Sequence, residues 1–251
     1  MARTRKPSAW NKPKGEGSSS NARDLKQRVK TARGRKISST NWLQRQLNDP
    51  YVGLAKKEGY RCRSAFKLLE IDDKHRFLKP GCAIVDLGSA PGGWSQIAAI
   101  RTNAAEGKGR VVGIDLHEVE AIAGVTLFKK DFFDQDAPQV LIEALGDVYA
   151  DVVLSDMAAH ATGHKQTDHI KIIDLAETAL EFAMDILKPG GTFLCKVLRG
   201  GSEHDLLATM KQNFKTIKHI KPQASRADSA ELFVLATGFK GKKSEQTTQS
   251  V

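Results

Sequence analysis

The chain has 251 residues, 40% of them hydrophobic and 27% charged, which suits one globular domain with extra polar sequence and excludes a fibrous or wholly disordered chain. Nowhere do about 18 apolar residues run together, and the N-terminus has no apolar stretch of the kind a secretory signal needs, so a soluble, non-secreted protein without a membrane span is expected. The formal charge of +10 is unevenly placed: residues 1–36 carry 12 Lys and Arg against Glu16 and Asp24, and the remainder holds 27 charges of each sign.

Residues 1–38 hold Pro7, Pro13, Gly15, Gly17 and a serine run at 18–20 among these basic side chains. Too few large apolar groups are present to offset the entropy of ordering, so a basic, disordered extension is expected, with a short helix over residues 24–33 forming on RNA. Such a charge block releases counterions from a phosphate backbone and gives salt-sensitive, sequence-independent affinity for nucleic acid. A solubilising tail is the alternative. The Arg- and Ser-rich start also resembles a mitochondrial presequence, a reading weakened by the early prolines and Gly15.

Ordered sequence should begin near residue 39, where Trp42, Leu43 and Leu47 recur at helical spacing before a break at Asn48, Asp49 and Pro50. A second helix is predicted around residues 64–73, carrying Ala65, Leu68, Leu69 and Ile71. From there the pattern changes. Apolar runs of strand length at 82–87, 111–114, 125–128, 152–154, 192–198 and 232–236 alternate with helical segments, which points to an α/β protein with a mostly parallel sheet covered by helices on both faces. Pro80-Gly81 and Pro189-Gly190-Gly191 punctuate the runs, and a flexible C-terminal tail is expected over 241–251. The three cysteines form no CxxC pair, and Cys82 and Cys195 sit in apolar runs, so a reducing compartment and no metal site are expected.

In open parallel sheets ligands bind outside the carboxyl ends of the strands, so residues just after the apolar runs are the candidates for a site. The segment DLGSAPGGWS at 86–95 follows the first strand and opens a helix, but Gly88 and Gly92 stand four apart, so the dinucleotide fingerprint GxGxxG is absent. Glycines here still admit a ligand close to the backbone. The second strand ends at Asp115, where an acid accepts from ribose hydroxyls in such folds, and Asp131 follows the third, where a carboxylate can accept from an adenine amino group. Three ionisable residues lie in or beside apolar strands, where an unpaired charge is costly: Asp156 after the fourth, Lys196 within the fifth and Glu231 at the start of the sixth. Lys67, on the helix before the first strand, would by itself be a surface lysine.

Together these residues carry a resemblance. The order Lys67, Asp156, Lys196, Glu231, interleaved with DLGSAPGGWSQ and LSDMA, resembles the FtsJ/RrmJ (RlmE) family of ribosomal RNA 2′-O-ribose methyltransferases, over residues 42–240. The resemblance implies a Rossmann-like, seven-stranded methyltransferase sheet with the last strand antiparallel, in a domain spanning 39–240. It implies S-adenosylmethionine as cofactor, held by Gly92, Trp94, Asp115, Asp131 and Asp156, and a catalytic tetrad of Lys67, Asp156, Lys196 and Glu231. The implied substrate is a uridine ribose in the A-loop of 23S, large-subunit ribosomal RNA, free or in the assembled subunit, acted on by a cytoplasmic monomer without metal. One departure is visible: many relatives read SDMAPN where this chain has Ala159 and His160 after Met157-Ala158.

A ribose hydroxyl is a poor nucleophile at neutral pH and the sulfonium methyl is already electrophilic, so the protein must mainly align the two and help remove a proton. Lys196 is the candidate base. It must then be neutral, which burial and a nearby Lys67 favour and the two carboxylates oppose; a charged Lys196 would instead stabilise the developing alkoxide. Other expected substrates are tRNA, an mRNA cap or mitochondrial large-subunit RNA, and a non-catalytic ribosome assembly factor is the reading from a different class. Basic residues outside the tail, such as Lys56, Lys57, Arg61 and Arg63, are expected to form an RNA-facing patch.

Overall fold

The computed structural model describes residues 28, 29, 34–146, 148–159, 162–199 and 204–241. Most of the basic extension, including all of the helix expected at 24–33 except residues 28 and 29, and all of the C-terminal tail beyond residue 241 lie outside the described residues, as does His160.

Three helices precede the sheet: α1 (Ile37–Leu47), α2 (Pro50–Glu58) and α3 (Ala65–His75). The Asn48-Asp49-Pro50 break is also a helix start, which sequence reading did not anticipate. The Asp49 carboxylate accepts from the Tyr51 N–H at 3.1 Å and Pro50 occupies the first turn, where its missing N–H costs nothing. α2 packs on α3 through Ala55 and Phe66. The apolar stripe of α1 is present, but Ile37, Trp42 and Leu47 remain exposed.

The sheet comprises β1 (Ala83–Leu87), β2 (Arg110–Asp115), β3 (Val125–Lys129), β4 (Ala150–Ser155), β5 (Leu187–Leu198), β6 (Phe214–Ile220) and β7 (Glu231–Phe239), ordered β3-β2-β1-β4-β5-β7-β6. β1 to β5 pair in parallel, and β7 runs antiparallel to both β5 and β6. The six predicted runs therefore all form strands, the first one residue shorter than its run and the other five extended by one to five residues. Pro189-Gly190-Gly191 does not precede β5 but forms an irregularity inside it, exposed at Pro189 and Gly190, where the register with β4 shifts. The seventh strand, β6, lacks an apolar run: Lys215, Thr216, Lys218 and His219 face solvent or the sheet edge, the polar composition that blunts an edge strand.

Because side chains alternate along a strand, the sheet supplies two cores. Ile84, Val111, Leu154, Leu194 and Phe233 face α3 and α4 (Gly93–Thr102). Val85, Val112, Val153, Phe193 and Val234 face α5 (Ala137–Leu145), α6 (Lys165–Ile186) and α7 (His204–Asn213). Lys196 shares the parity of Leu194 and Asp86 that of Ile84, so both charges lie on the α3/α4 side.

Candidate active site

The strand order reverses between β1 and β4, and a cleft of about 460 Å³ opens there beyond the carboxyl ends of the strands. Gly88, Ala90, Asp115, Asp131, Asp156 and Met157 line it. Gly88 adopts φ 77°, and a β-carbon on it would come within 2.9 Å of the Met157 backbone, so both conformation and space require glycine at the cleft floor. Asp115 braces the loop as well as facing the cleft: its two oxygens accept from Ala90 N–H at 2.9 Å and His117 N–H at 2.8 Å. Each oxygen keeps a second lone pair for a ligand hydroxyl. Asp131 accepts from the Phe133 N–H through Oδ1, and Oδ2 takes no part in that bond. Phe132, Phe133 and Leu116 give apolar walls suited to a purine ring. This donor set and shape fit S-adenosylmethionine.

Gly92 and Trp94 are placed differently. Neither lines the cleft. Gly92 is the N-cap of α4 with φ 106°, and Trp94 is buried, its indole N–H donating to the Ser64 carbonyl at 2.9 Å and its ring 5.5 Å from Phe233. Position 94 can therefore meet a cofactor only through its backbone, at the amide-rich start of α4.

Two buried ion pairs stand on the α3/α4 face of β5 and β7. The Lys196 ammonium lies 3.1 Å from Asp156 Oδ1 and donates to the Asp156 carbonyl at 2.8 Å. The Lys67 ammonium meets both Glu231 oxygens at 2.7 Å. Lys196 pairs with Phe233 across the strands, and Lys67 sits over the Phe233 ring at 5.5 Å, so one aromatic side chain spaces the two pairs. Glu231 is held further by Ser225 Oγ at 2.8 Å. All four residues singled out from their positions in the chain are thus brought to one row, which begins at Asp156 in the cleft wall and ends at Glu231.

Asp86 was passed over by sequence reasoning. It is fully buried in β1, takes a 2.6 Å hydrogen bond from Ser95 Oγ, and its carboxyl is pushed up to about 7, chiefly by burial and further by Asp156 and Asp115, against the opposing Ser95 bond. The signal was available: an acid inside an apolar strand, the same pattern that singled out Lys196. Lys171 and Asp174 of α6 also line the cleft and carried no local signal.

Arg61 and Arg63 are not the free RNA-facing cations expected from the sequence. Arg61 donates to the carbonyls of Glu120 at 2.6 Å and Ala121 at 2.8 Å, cinching the β2–β3 loop against the glycine loop. Arg63 pairs with the buried Asp49 at 2.9 Å and donates to the Ala224 carbonyl. Partially desolvated guanidinium groups persist because carbonyls accept from them and the Asp49 carboxylate offsets the charge of Arg63, although Arg63 Nε itself makes no hydrogen bond. Among the described residues no group of three or more His, Cys, Asp or Glu is placed to hold a metal ion, and no helix is long and apolar enough to cross a membrane.

The chain matches the FtsJ-like methyltransferase family model over residues 60–239. The Ribosomal RNA large subunit methyltransferase E of Parvibaculum lavamentivorans is 60% identical over 235 residues, covering 91% of this chain and 92% of that protein. The protein of the same name from Bradyrhizobium diazoefficiens is 61% identical over 213 residues, covering 85% and 93%. Among solved structures, a Plasmodium falciparum protein assigned as a ribosomal RNA methyltransferase superposes with a TM-score of 0.65 at 29% identity, covering 73% of this chain and all of that one.

Proposed function

This chain belongs to the FtsJ-like methyltransferase family and is an S-adenosylmethionine-dependent methyltransferase, and from that premise we propose that it methylates a ribose 2′-hydroxyl of large-subunit ribosomal RNA, at a uridine of the 23S A-loop. It acts as a cytoplasmic monomer on that RNA or on the assembled subunit. The observation that carries the reading is the row of buried pairs, Asp156 with Lys196 and Glu231 with Lys67, leading out of the cofactor cleft.

When bound, the cofactor supplies a methyl group on a cationic sulfur. Asp115 holds the sugar of its adenosine and Asp131 the amino edge of its base, while Gly88 and the backbone at Gly92 and Trp94 let the remainder approach the loop. Lys196 has three protons to donate: one goes to the Asp156 carbonyl, and the Asp156 carboxylate, 3.1 Å away, holds the ammonium as an ion pair rather than through a hydrogen bond. The protons left over are available to the reacting oxygen. Of the two roles open to this lysine, that pairing favours the cation: it orients the ribose hydroxyl in line with the methyl group and stabilises charge building on oxygen as the O–CH3 bond forms, the bond from methyl to sulfur breaks and the hydroxyl proton passes to water. Asp156 fixes Lys196 from the cleft side. Lys67 and Glu231 hold the sugar from the other, with Lys67 kept in place by the Phe233 ring.

Purified protein incubated with labelled S-adenosylmethionine and large subunits from cells lacking the gene tests this. The label should enter RNA and survive alkaline hydrolysis as a dinucleotide, because a methylated 2′-oxygen cannot attack the neighbouring phosphate. Label in base or protein instead would overturn the assignment.

A further inference from the structure

A second cavity, of about 270 Å³, opens at the other end of the catalytic row. Lys67 and Glu231 form its inner wall, and Arg45, Arg63, Arg226 and Asp228 surround its mouth. Four cations face two acids. Arg63 and Arg226 share the buried Asp49 carboxylate, at 2.9 and 3.2 Å, which fixes both guanidinium groups and joins α2 to the loop before β7. Glu70 pins the same loop by accepting from the N–H groups of Gln223 and Ala224. Arg45, on the exposed face of α1, is not used in this way: its Nε donates to the Asn41 carbonyl at 3.4 Å, and among the described residues no carboxylate pairs with it.

This placement has a chemical consequence that rests on the functional reading above. In a polynucleotide the carbon next to the one bearing the reacting hydroxyl carries a phosphodiester. With the methyl donor on the Asp156 side of Lys196, the backbone must leave on the Glu231 side, where the cavity lies. A guanidinium presents two parallel N–H groups that match two phosphate oxygens, which an ammonium cannot do. We propose that Arg45, seated beside the fixed Arg226, binds the RNA phosphate adjacent to the methylated ribose and so sets which nucleotide of a strand reaches Lys196. A ligand without that phosphate, such as a nucleoside, therefore lacks its main anchor outside the reacting centre.

The test compares Arg45→Ala, Arg45→Lys and Lys108→Ala with the parent on large subunits from cells lacking the gene. Lys108 pairs with Glu106 on the surface at the opposite end of the sheet, so its loss removes equal charge elsewhere. Arg45→Ala should raise KM for the subunit on the order of tenfold, with the loss falling on KM rather than kcat, and should lower the slope of log(kcat/KM) against log salt by about 0.7. Arg45→Lys should keep the slope and recover only part of KM, because it keeps the charge and loses the fork. Lys108→Ala should match the parent, and binding of S-adenosylmethionine by calorimetry should be the same in all four proteins. An active parent with Arg45→Ala indistinguishable from Lys108→Ala would overturn the phosphate subsite alone. A parent that binds the cofactor and methylates no RNA would overturn the functional reading and the subsite with it.

Discussion

The Lys67–Glu231 pair joins α3 to β7 and should matter to folding as much as to chemistry. Both side chains are largely out of water, at 9% and 17% exposure, and the ammonium meets both carboxylate oxygens at 2.7 Å. Glu231→Ala leaves the Lys67 charge buried, with only the Phe233 ring face and its residual exposure in compensation. Breaking one side of a buried pair costs about 3–5 kcal/mol, and the remaining ring contact puts the expected loss near the lower end, about 3 kcal/mol. For a chain of this size that is a fall in Tm of roughly 6–12 °C. Replacing both partners by apolar groups, in Lys67→Met/Glu231→Leu, removes the orphaned charge and should return stability to within about 1 kcal/mol of the parent. Urea denaturation of the parent, the single and the double variant measures this, with methyl transfer assayed in parallel. The double variant should be stable and inactive, which separates the two roles. A single variant that loses under about 1 kcal/mol, or a double variant no more stable than the single, would refute the reasoning.

Lys196→Ala should abolish methyl transfer while leaving calorimetric binding of S-adenosylmethionine close to that of the parent, since Lys196 does not line the cleft and meets it only through Asp156; transfer at the parent rate would remove it from the mechanism. Asp115→Ala should weaken cofactor binding by about 1.5–3 kcal/mol for each charge-assisted hydrogen bond lost, and an unchanged Kd would place the cofactor's sugar elsewhere. Asp86 should give the fold a pH dependence. Its folded value of about 7 lies above the ordinary 3.8, so its contribution to stability is fully present below about pH 4 and is lost as pH rises to about 7. Asp86→Asn should flatten that part of the fall in denaturation midpoint between pH 4 and 8, and parallel profiles would contradict the raised value. Deleting residues 1–36 removes 12 basic side chains and leaves a chain of no formal net charge. If about four to six of them contact phosphates, the slope of log affinity against log salt should drop by roughly 3–5, and equal slopes would leave the tail without an RNA role.

The strands were legible because most are buried on both faces: Val85, Val112, Val153 and Phe193 sit in continuous apolar runs that leave little to misread. β6 was not, because an edge strand needs only one apolar face and this one protects its edge with lysines. α2 was hidden by reading Asp49 and Pro50 as a stop, although the same two residues cap and open a helix. The site divided in the same way. Lys196 announced itself as a charge within an apolar strand, and Asp86 gave an equal signal that the glycines beside it obscured. The ends of Arg61 and Arg63 could not be read, since beside the Asp49 carboxylate that pairs with Arg63 they donate to backbone carbonyls about 60 and 161 positions along the chain, at Ala121 and Ala224. A carbonyl acceptor leaves no trace in residue type, so a committed guanidinium and a free one look alike in sequence. Trp94 shows the converse: the side chain of a conspicuous residue in the glycine loop packs between α4 and β7, which leaves its backbone for a cofactor.

If the Lys196 ammonium, held by Asp156, directs methyl transfer to one ribose of large-subunit RNA, a single modification depends on it. Ribose methylation mapped across all stable RNAs tests it most directly, in cells carrying the gene, lacking it, and carrying Lys196→Ala. The account predicts that a single site, at a uridine of the 23S A-loop, disappears without the gene and stays absent with the variant. An unchanged large-subunit map, or restoration of the site by Lys196→Ala, would contradict it.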